Sequence, residues 1–126
     1  MGLAYAEIQL SNPVEPQLNS IKINALVDSG ALHLCIPKHL ALQLKLTPLE
    51  EREVTLADGS RQLIPYAGPV KVTFSNRTAF VGVMILGDEV LLGAIPMEDL
   101  DVIIHPATRN LMVNPESPNI AMTKVK

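Results

Sequence analysis

The stretch "ALVDSGALHLCIP", residues 25–37, sets one acidic residue into an otherwise apolar run. Val27 and Ala31 bracket Asp28-Ser29-Gly30, and Leu26, Leu32 and Ile36 continue the apolar pattern outward. A carboxylate in such surroundings is costly unless it is paired or hydrogen-bonded. Taken alone, the tripeptide is also ordinary turn chemistry at a strand end. Two other chemistries are conceivable here, and both are poorly supported. Ser29 as a nucleophile with His33 or His39 as base lacks the Gly-x-Ser-x-Gly elbow that would present its hydroxyl. His33, Cys35 and His39 as metal ligands lack an obvious fourth donor, and His39 falls in the next element. Cys35, the single cysteine, reads as a small buried hydrophobe, and no metal site is expected.

What Asp28 can do depends on the elements that carry it. "AYAEIQL" (4–10) and "SIKINALV" (20–27) alternate apolar and polar residues with period two and read as strands, joined by an exposed connection over 12–19. The second strand runs straight into Asp28. "PKHLALQLKL" (37–46) is the best helix, with Pro37 at its first position and Leu40, Ala41 and Leu44 on one side. In "EVTLADGSRQLIP" the Asp58-Gly59 pair between alternating flanks predicts a hairpin with a type I′ turn, Pro65 stopping its second strand. A second hairpin follows, "PVKVTF" (69–74) and "AFVGVMIL" (79–86) around the polar turn "SNRT". "VLLG" (90–93), one or two helical turns in "IPMEDL" (95–100) and short strands in "VIIHP" and "NLMVN" complete the pattern. Glu50, Glu51, Arg52 and Glu53 read as a solvated charge run, and residues 115–126 are polar enough to be loose without a partner.

The 126 residues fit one domain over 1–126, and 48% apolar content supports a core built mainly from Val, Ile, Leu and Ala. A net charge of −3 gives no basic footprint for nucleic acid, and two Phe with two Tyr make a base-stacking platform improbable. "AFVGVMILG" is too short to span a bilayer, and the N-terminus has neither the basic nor the apolar part of a signal peptide. Gly2 invites myristoylation, but Ala6 stands where Ser or Thr is wanted. The expectation is a cytoplasmic all-β domain with no membrane and no nucleic-acid partner.

"ALVDSGA" resembles the active-site loop of retropepsin-like aspartic proteases, apolar-apolar-Asp-[Thr/Ser]-Gly-[Ala/Ser]. Two more pieces stand in family order: "VTLADGSRQLIPYAGPVKV" resembles the flap hairpin, and "VLLGAIPMEDLDVIIHP" the apolar-apolar-Gly block with its short helix. The chain looks most like the small single-domain bacterial and archaeal members. The resemblance implies an acid-protease barrel and an aspartic endopeptidase with Asp28 catalytic. Ser29, Gly30 and Ala31 would support the loop, and Leu91, Leu92 and Gly93 would brace it from beneath. Ala57, Asp58, Gly59 and Ser60 would form the flap tip over a bound peptide. No cofactor is implied.

Aspartic proteolysis needs two carboxylates sharing one proton, and this chain has one Asp-[Thr/Ser]-Gly. The second Asp28 must then come from a second copy across a two-fold axis, burying both loops in the interface. Many retroviral members carry an acid after Asp-Thr-Gly-Ala and an arginine after the apolar-apolar-Gly, which pair; here these positions hold Leu32 and Ala94. The runner-up is accordingly a retropepsin-like dimer that binds peptide or protein with weak cleavage or none. A third possibility, an assembly domain using its sheet edges, would hold the two Asp28 carboxylates far apart.

Overall fold

The computed structural model describes residues 3–125, so Gly2 lies outside the described residues. In chain order these residues form β1 (Ala4–Ser11), β2 (Ile21–Val27), β3 (Leu34–Ile36), α1 (Lys38–Gln43), β4 (Pro48–Thr55), β5 (Arg61–Phe74), β6 (Arg77–Ile85), β7 (Leu91–Leu92), α2 (Ala94–Leu100), β8 (Val102–Ile104) and β9 (Leu111–Val113). Seven strands make one sheet in the order β1-β2-β7-β3-β6-β5-β4. A further pairing of β1 with β5, Leu10 opposite Val72, closes the first six into a barrel. β4 is left outside the closure, bonded to β5 alone. The chain is therefore all-β with two short helices, as its sequence pattern predicts, and it closes into a barrel of the kind the resemblance implies.

Side-chain periodicity explains the closure. In β1 the residues Ala4, Ala6, Ile8 and Leu10 are buried while Tyr5 and Glu7 face outward. β2 pairs with it antiparallel, Ala6 opposite Ala25 and Ile8 opposite Ile23. The barrel interior is filled by small and branched residues, among them Ala25, Val27, Leu34, Ile36, Val70, Val72, Val83 and Leu92. With almost no aromatic side chains in the sequence, close packing of the interior falls to these small and branched groups.

Four local readings change. β5 does not stop at Pro65; it runs from Arg61 to Phe74 through Pro65 and Pro69, with a register shift between Ala67 and Val70. A proline ends a strand only where the ladder needs its N–H, and at Pro65 β5 is paired on one side only, with Glu51 of β4. The charge run 50–53, exposed as expected, is more than a solvated run, because it forms the body of β4. The hairpin tip is not type I′: Gly59 has φ +87°, while Asp58 is not among the residues with positive φ. Gly59 N–H donates to Leu56 O at 2.9 Å and Leu56 N–H to Ser60 O at 2.8 Å, a three-residue loop ending in a left-handed glycine. Helix α1 is shorter than 37–46, because Pro37 sits just before it in extended backbone and Lys45 turns left-handed at φ +54°. Lys45 N–H donates to Leu42 O and Leu46 N–H to Ala41 O, closing the helix as a glycine usually would.

The end of the chain is tied down around Asp101. Arg77, read as a turn residue, is a β6 residue only 1% exposed, and it donates to the carbonyl of Ser117. Asp101 accepts from the Ser117 hydroxyl, from Asn114 Nδ2 at 3.0 Å and from Met122 N–H at 2.9 Å, and lies 3.5 Å from Arg77 Nη1. Composition made residues 115–126 look loose; the part up to Met122 is held by these bonds.

Candidate active site

Asp28 begins where β2 ends, and the sheet fixes its direction. Leu26 and Val27 pair in parallel with Leu91 and Leu92 of β7. Leu26 N–H donates to Val90 O at 2.9 Å and Asp28 N–H to Leu92 O at 3.0 Å. Val27 is thus buried and the next side chain, Asp28, faces out. In the single chain Asp28, Ser29 and Gly30 are all exposed, so the apolar flanks do not desolvate the carboxylate. Asp28 Oδ1 accepts from Gly30 N–H at 2.9 Å, and Asp28 O accepts from Ala31 N–H at 3.1 Å. A Cβ on Gly30 would stand 3.2 Å from Asp28 Oδ1, so glycine lets the backbone approach the carboxylate.

The Leu91-Leu92-Gly93 block lies against this loop. Gly93 is buried, and a Cβ there would fall 2.4 Å from His33 O, 2.7 Å from Leu32 C and 2.9 Å from Ala31 O. Ala94 and Ile95 open α2, where N–H groups have no partner within the helix. They donate instead to Ala31 O and Leu32 O, each at 2.8 Å. The segments that lack the acid–arginine pair, with Leu32 and Ala94 in its place, are therefore joined by main chain. Beside Ser29, the side chains of Ala94, Met97, Val102, Ile103 and Ile104 line an open, mainly apolar depression.

Ala57, Asp58, Gly59 and Ser60, the residues expected at a flap tip, stand together at the end of the β4–β5 hairpin and are all exposed. Asp58 Oδ1 accepts from both the hydroxyl and the N–H of Ser60, which hold its carboxyl below the ordinary value. These bonds join the tip to itself. The structure thus brings the loop and its buttress into direct contact and leaves the tip as a separate unit at the hairpin's end.

Sequence reasoning missed one cluster. His33, directly after the loop, meets the ring of Tyr66 of β5 edge-on, with centroids 5.9 Å apart at 67°. Arg52 of β4 lies over the same ring, its Cζ 4.0 Å from the centroid, and its Nε donates to Glu50 Oε2 at 2.8 Å. Gly82 of β6 makes room: a Cβ there would overlap the Tyr66 hydroxyl at 1.9 Å. Burial first and Arg52 second push the His33 imidazole below its usual pKa. Burial pushes the half-buried Cys35 thiol up. Among the described residues, no three His, Cys, Asp or Glu side chains stand together as a metal site. No helix of the described residues is long and apolar enough to cross a membrane.

Residues 14–99 match the family described as "gag-polyprotein putative aspartyl protease", a span that holds the Asp28 loop, the hairpin, the Leu-Leu-Gly block and nearly all of α2. No curated protein sequence matches the chain. Among solved structures it is similar to EIAV protease in complex with an inhibitor, with TM-score 0.58 and 16% identity over 79% of this chain and 88% of that one. It is equally similar to the retroviral protease-like domain of Ddi1 from Leishmania major, with TM-score 0.58 and 14% identity over 90% and 91%. Neither structure comes from the bacterial and archaeal members that the sequence is expected to resemble most. At such identities these structures bear on the fold, and the family rests on the sequence match. With more than half of its length matched, the chain belongs to the gag-polyprotein aspartyl protease family and has the retropepsin-like fold.

Proposed function

We propose that the protein is an aspartic endopeptidase whose site forms when two copies bring their Asp28 carboxylates together. The observation that carries this reading is the exposed Asp28 side chain, fixed by Gly30 N–H and set on a backbone clamped to Leu92, in a chain of this family. One copy presents one such loop. The apolar depression beside Ser29 supports the reading, since it would be covered by the same partner that supplies the second carboxylate.

The chemistry follows from the pairing. Two carboxylates in contact cannot both ionise comfortably, so they hold one proton between them. The ionised member takes a proton from water, and the resulting hydroxide adds to the scissile carbonyl carbon. The protonated member gives its proton to the carbonyl oxygen. When the tetrahedral intermediate collapses, the C–N bond breaks and the amine leaves with a proton returned by the dyad. This is the general logic of aspartic proteases, in which environment separates the roles of two like groups. In this reading Ser29, Gly30 and Ala31 position Asp28, and Leu91, Leu92 and Gly93 hold the loop. Ala57, Asp58, Gly59 and Ser60 cover an extended peptide or protein substrate. No cofactor takes part.

The second reading is a dimer of the same shape that binds peptide without efficient cleavage. It is favoured by Leu32 and Ala94, which remove the side-chain pair common in retroviral members. One comparison decides. Wild type and Asp28→Asn are incubated with an unstructured peptide at mildly acidic pH, with the oligomeric state measured in parallel. The enzyme reading expects cleavage by the wild-type dimer and none by the variant; equal cleavage by both overturns it. A dimer that binds peptide and never cuts it establishes the binding module.

A further inference from the structure

The flap hairpin meets the barrel through β5, but one side-chain contact also joins it directly to the loop region. His33 continues the Asp28 loop, and its carbonyl packs on Gly93. Its ring touches Tyr66, and Tyr66 lies under Arg52, which belongs to β4, the strand bonded only to the hairpin partner. Glu50, opposite Tyr66 in the ladder, holds the guanidinium in place. Loop, barrel and outer hairpin strand are thus linked in one stack of three side chains, none of which the proposed chemistry uses.

We propose that His33 and Arg52 are positioning residues that act through Tyr66 as a proton-sensitive latch between the flap hairpin and the Asp28 loop. With neutral His33, the imidazole meets the phenol ring edge-on while the guanidinium lies over it, and the hairpin stem is held. With charged His33, two cations crowd the same ring and the latch loosens. The groups facing His33 come from three elements. Arg52 of β4 repels the imidazolium, with Glu50 already engaged by that guanidinium. Tyr66 of β5 presents its ring to both cationic groups. Glu98 and Asp99 of α2 line the same cavity of about 460 Å³ and offer the charged ring a place away from Tyr66. The folded protein holds the His33 pKa below its usual value. The latch therefore adds stability in full above the ordinary histidine range and loses it as pH falls through the lowered value.

The consequence for turnover rests on the Asp28 reading above, but the latch itself does not, and the test keeps the two apart. Hydrogen exchange of the β4 amides, expressed as protection factors, is compared at about pH 8 and about pH 4.5, which bracket histidine titration. In wild type, and equally in Asp28→Asn, protection is expected to fall about fivefold more on acidification than in His33→Gln, the size of one aromatic or cation–π contact. Arg52→Gln should flatten the same dependence, because it removes the repelling charge. As a check that needs no variant, the Tyr66 ring resonances should shift with the midpoint at which His33 titrates. Identical pH dependence in wild type and His33→Gln, or a His33 titration that leaves Tyr66 unmoved, overturns the latch. In an active enzyme, His33→Gln should flatten the acid-side change in KM and leave the kcat profile unaltered; loss of all cleavage in Asp28→Asn with the exchange pattern intact shows the site and the latch to be separate.

Discussion

Asp28-Ser29-Gly30 and Asp58-Gly59-Ser60 are built from the same three residue types, and their aspartates bond alike. Each Oδ1 accepts the N–H two residues on at 2.9 Å, and each carboxylate is exposed. Locally they share this carboxylate-to-backbone bond, on backbones that turn differently. Their settings differ. The first has Leu92 O on its leading N–H, and the residues that follow it, Ala31 to His33, pack on Gly93 and accept two α2 amides at Ala31 O and Leu32 O. The second is bonded only to itself, at the end of a hairpin. A short aspartate turn becomes a fixed carboxylate through what packs behind it.

The comparison can be broken most severely at the carboxylates. Asp28→Asn keeps the bond to Gly30 and so the fold, and is expected to lower cleavage of an unstructured peptide by ~10³-fold, the scale of one acid–base group. Asp58→Asn, which keeps an oxygen for both Ser60 bonds, should lower the rate far less. Peptide hydrolysis followed by chromatography would decide, and equal losses in both would mean that the turns are not distinct.

The glycines sharpen it next. Gly93→Ala pushes a methyl into the main chain of Ala31, Leu32 and His33, which has no rotamer to yield, and should cost about 3 kcal/mol. Gly59→Ala meets open space, and only its φ of +87° is strained, for about 1 kcal/mol. Urea unfolding midpoints at neutral pH would rank them; a Gly93 variant as stable as the Gly59 variant would show that the buttress is loose.

A third aspartate supplies the contrast with a purely structural carboxyl. The Ser117 hydroxyl, Asn114 amide, Met122 N–H and Arg77 hold Asp101 down to about 2. A depressed carboxyl adds stability above the unfolded value near 4 and loses it as pH falls toward about 2. Wild type should therefore lose stability across that acid window, and Asp101→Asn should be weaker at neutral pH with a flatter acid limb in thermal melts. A variant with the wild-type acid limb would remove Asp101 from the account. The smallest expected change is in Asp58→Asn, whose melting should fall only slightly, since an amide oxygen can still accept both Ser60 bonds, less strongly than the carboxylate.

Much of the fold was legible in local sequence. Period-two runs located β1 and β2, and the alternating flanks of Asp58-Gly59 located the hairpin. The Leu-Leu-Gly block was placed against the loop from the resemblance, and Gly93 now shows the steric reason. What stayed hidden depends on distant partners. Arg77 looked like a turn residue because its partners, Asp101 and Ser117, lie 24 and 40 positions further along the chain. The charges 50–53 looked merely solvated because Tyr66, which seats Arg52, is fixed by pairing register. Pro65 looked like a stop because the one-sided pairing of β5 there appears only in the assembled sheet.

Closing a barrel from six strands and leaving a seventh outside has a cost in solubility that β4 itself meets. Its outer edge offers unpaired N–H and C=O groups to any passing chain. Glu50, Glu51, Arg52 and Glu53 fill that strand, and Pro48 begins it, so a strand from a stranger would have to desolvate four charges to dock. The charges of β4 thus guard the open edge of the hairpin against pairing with another chain.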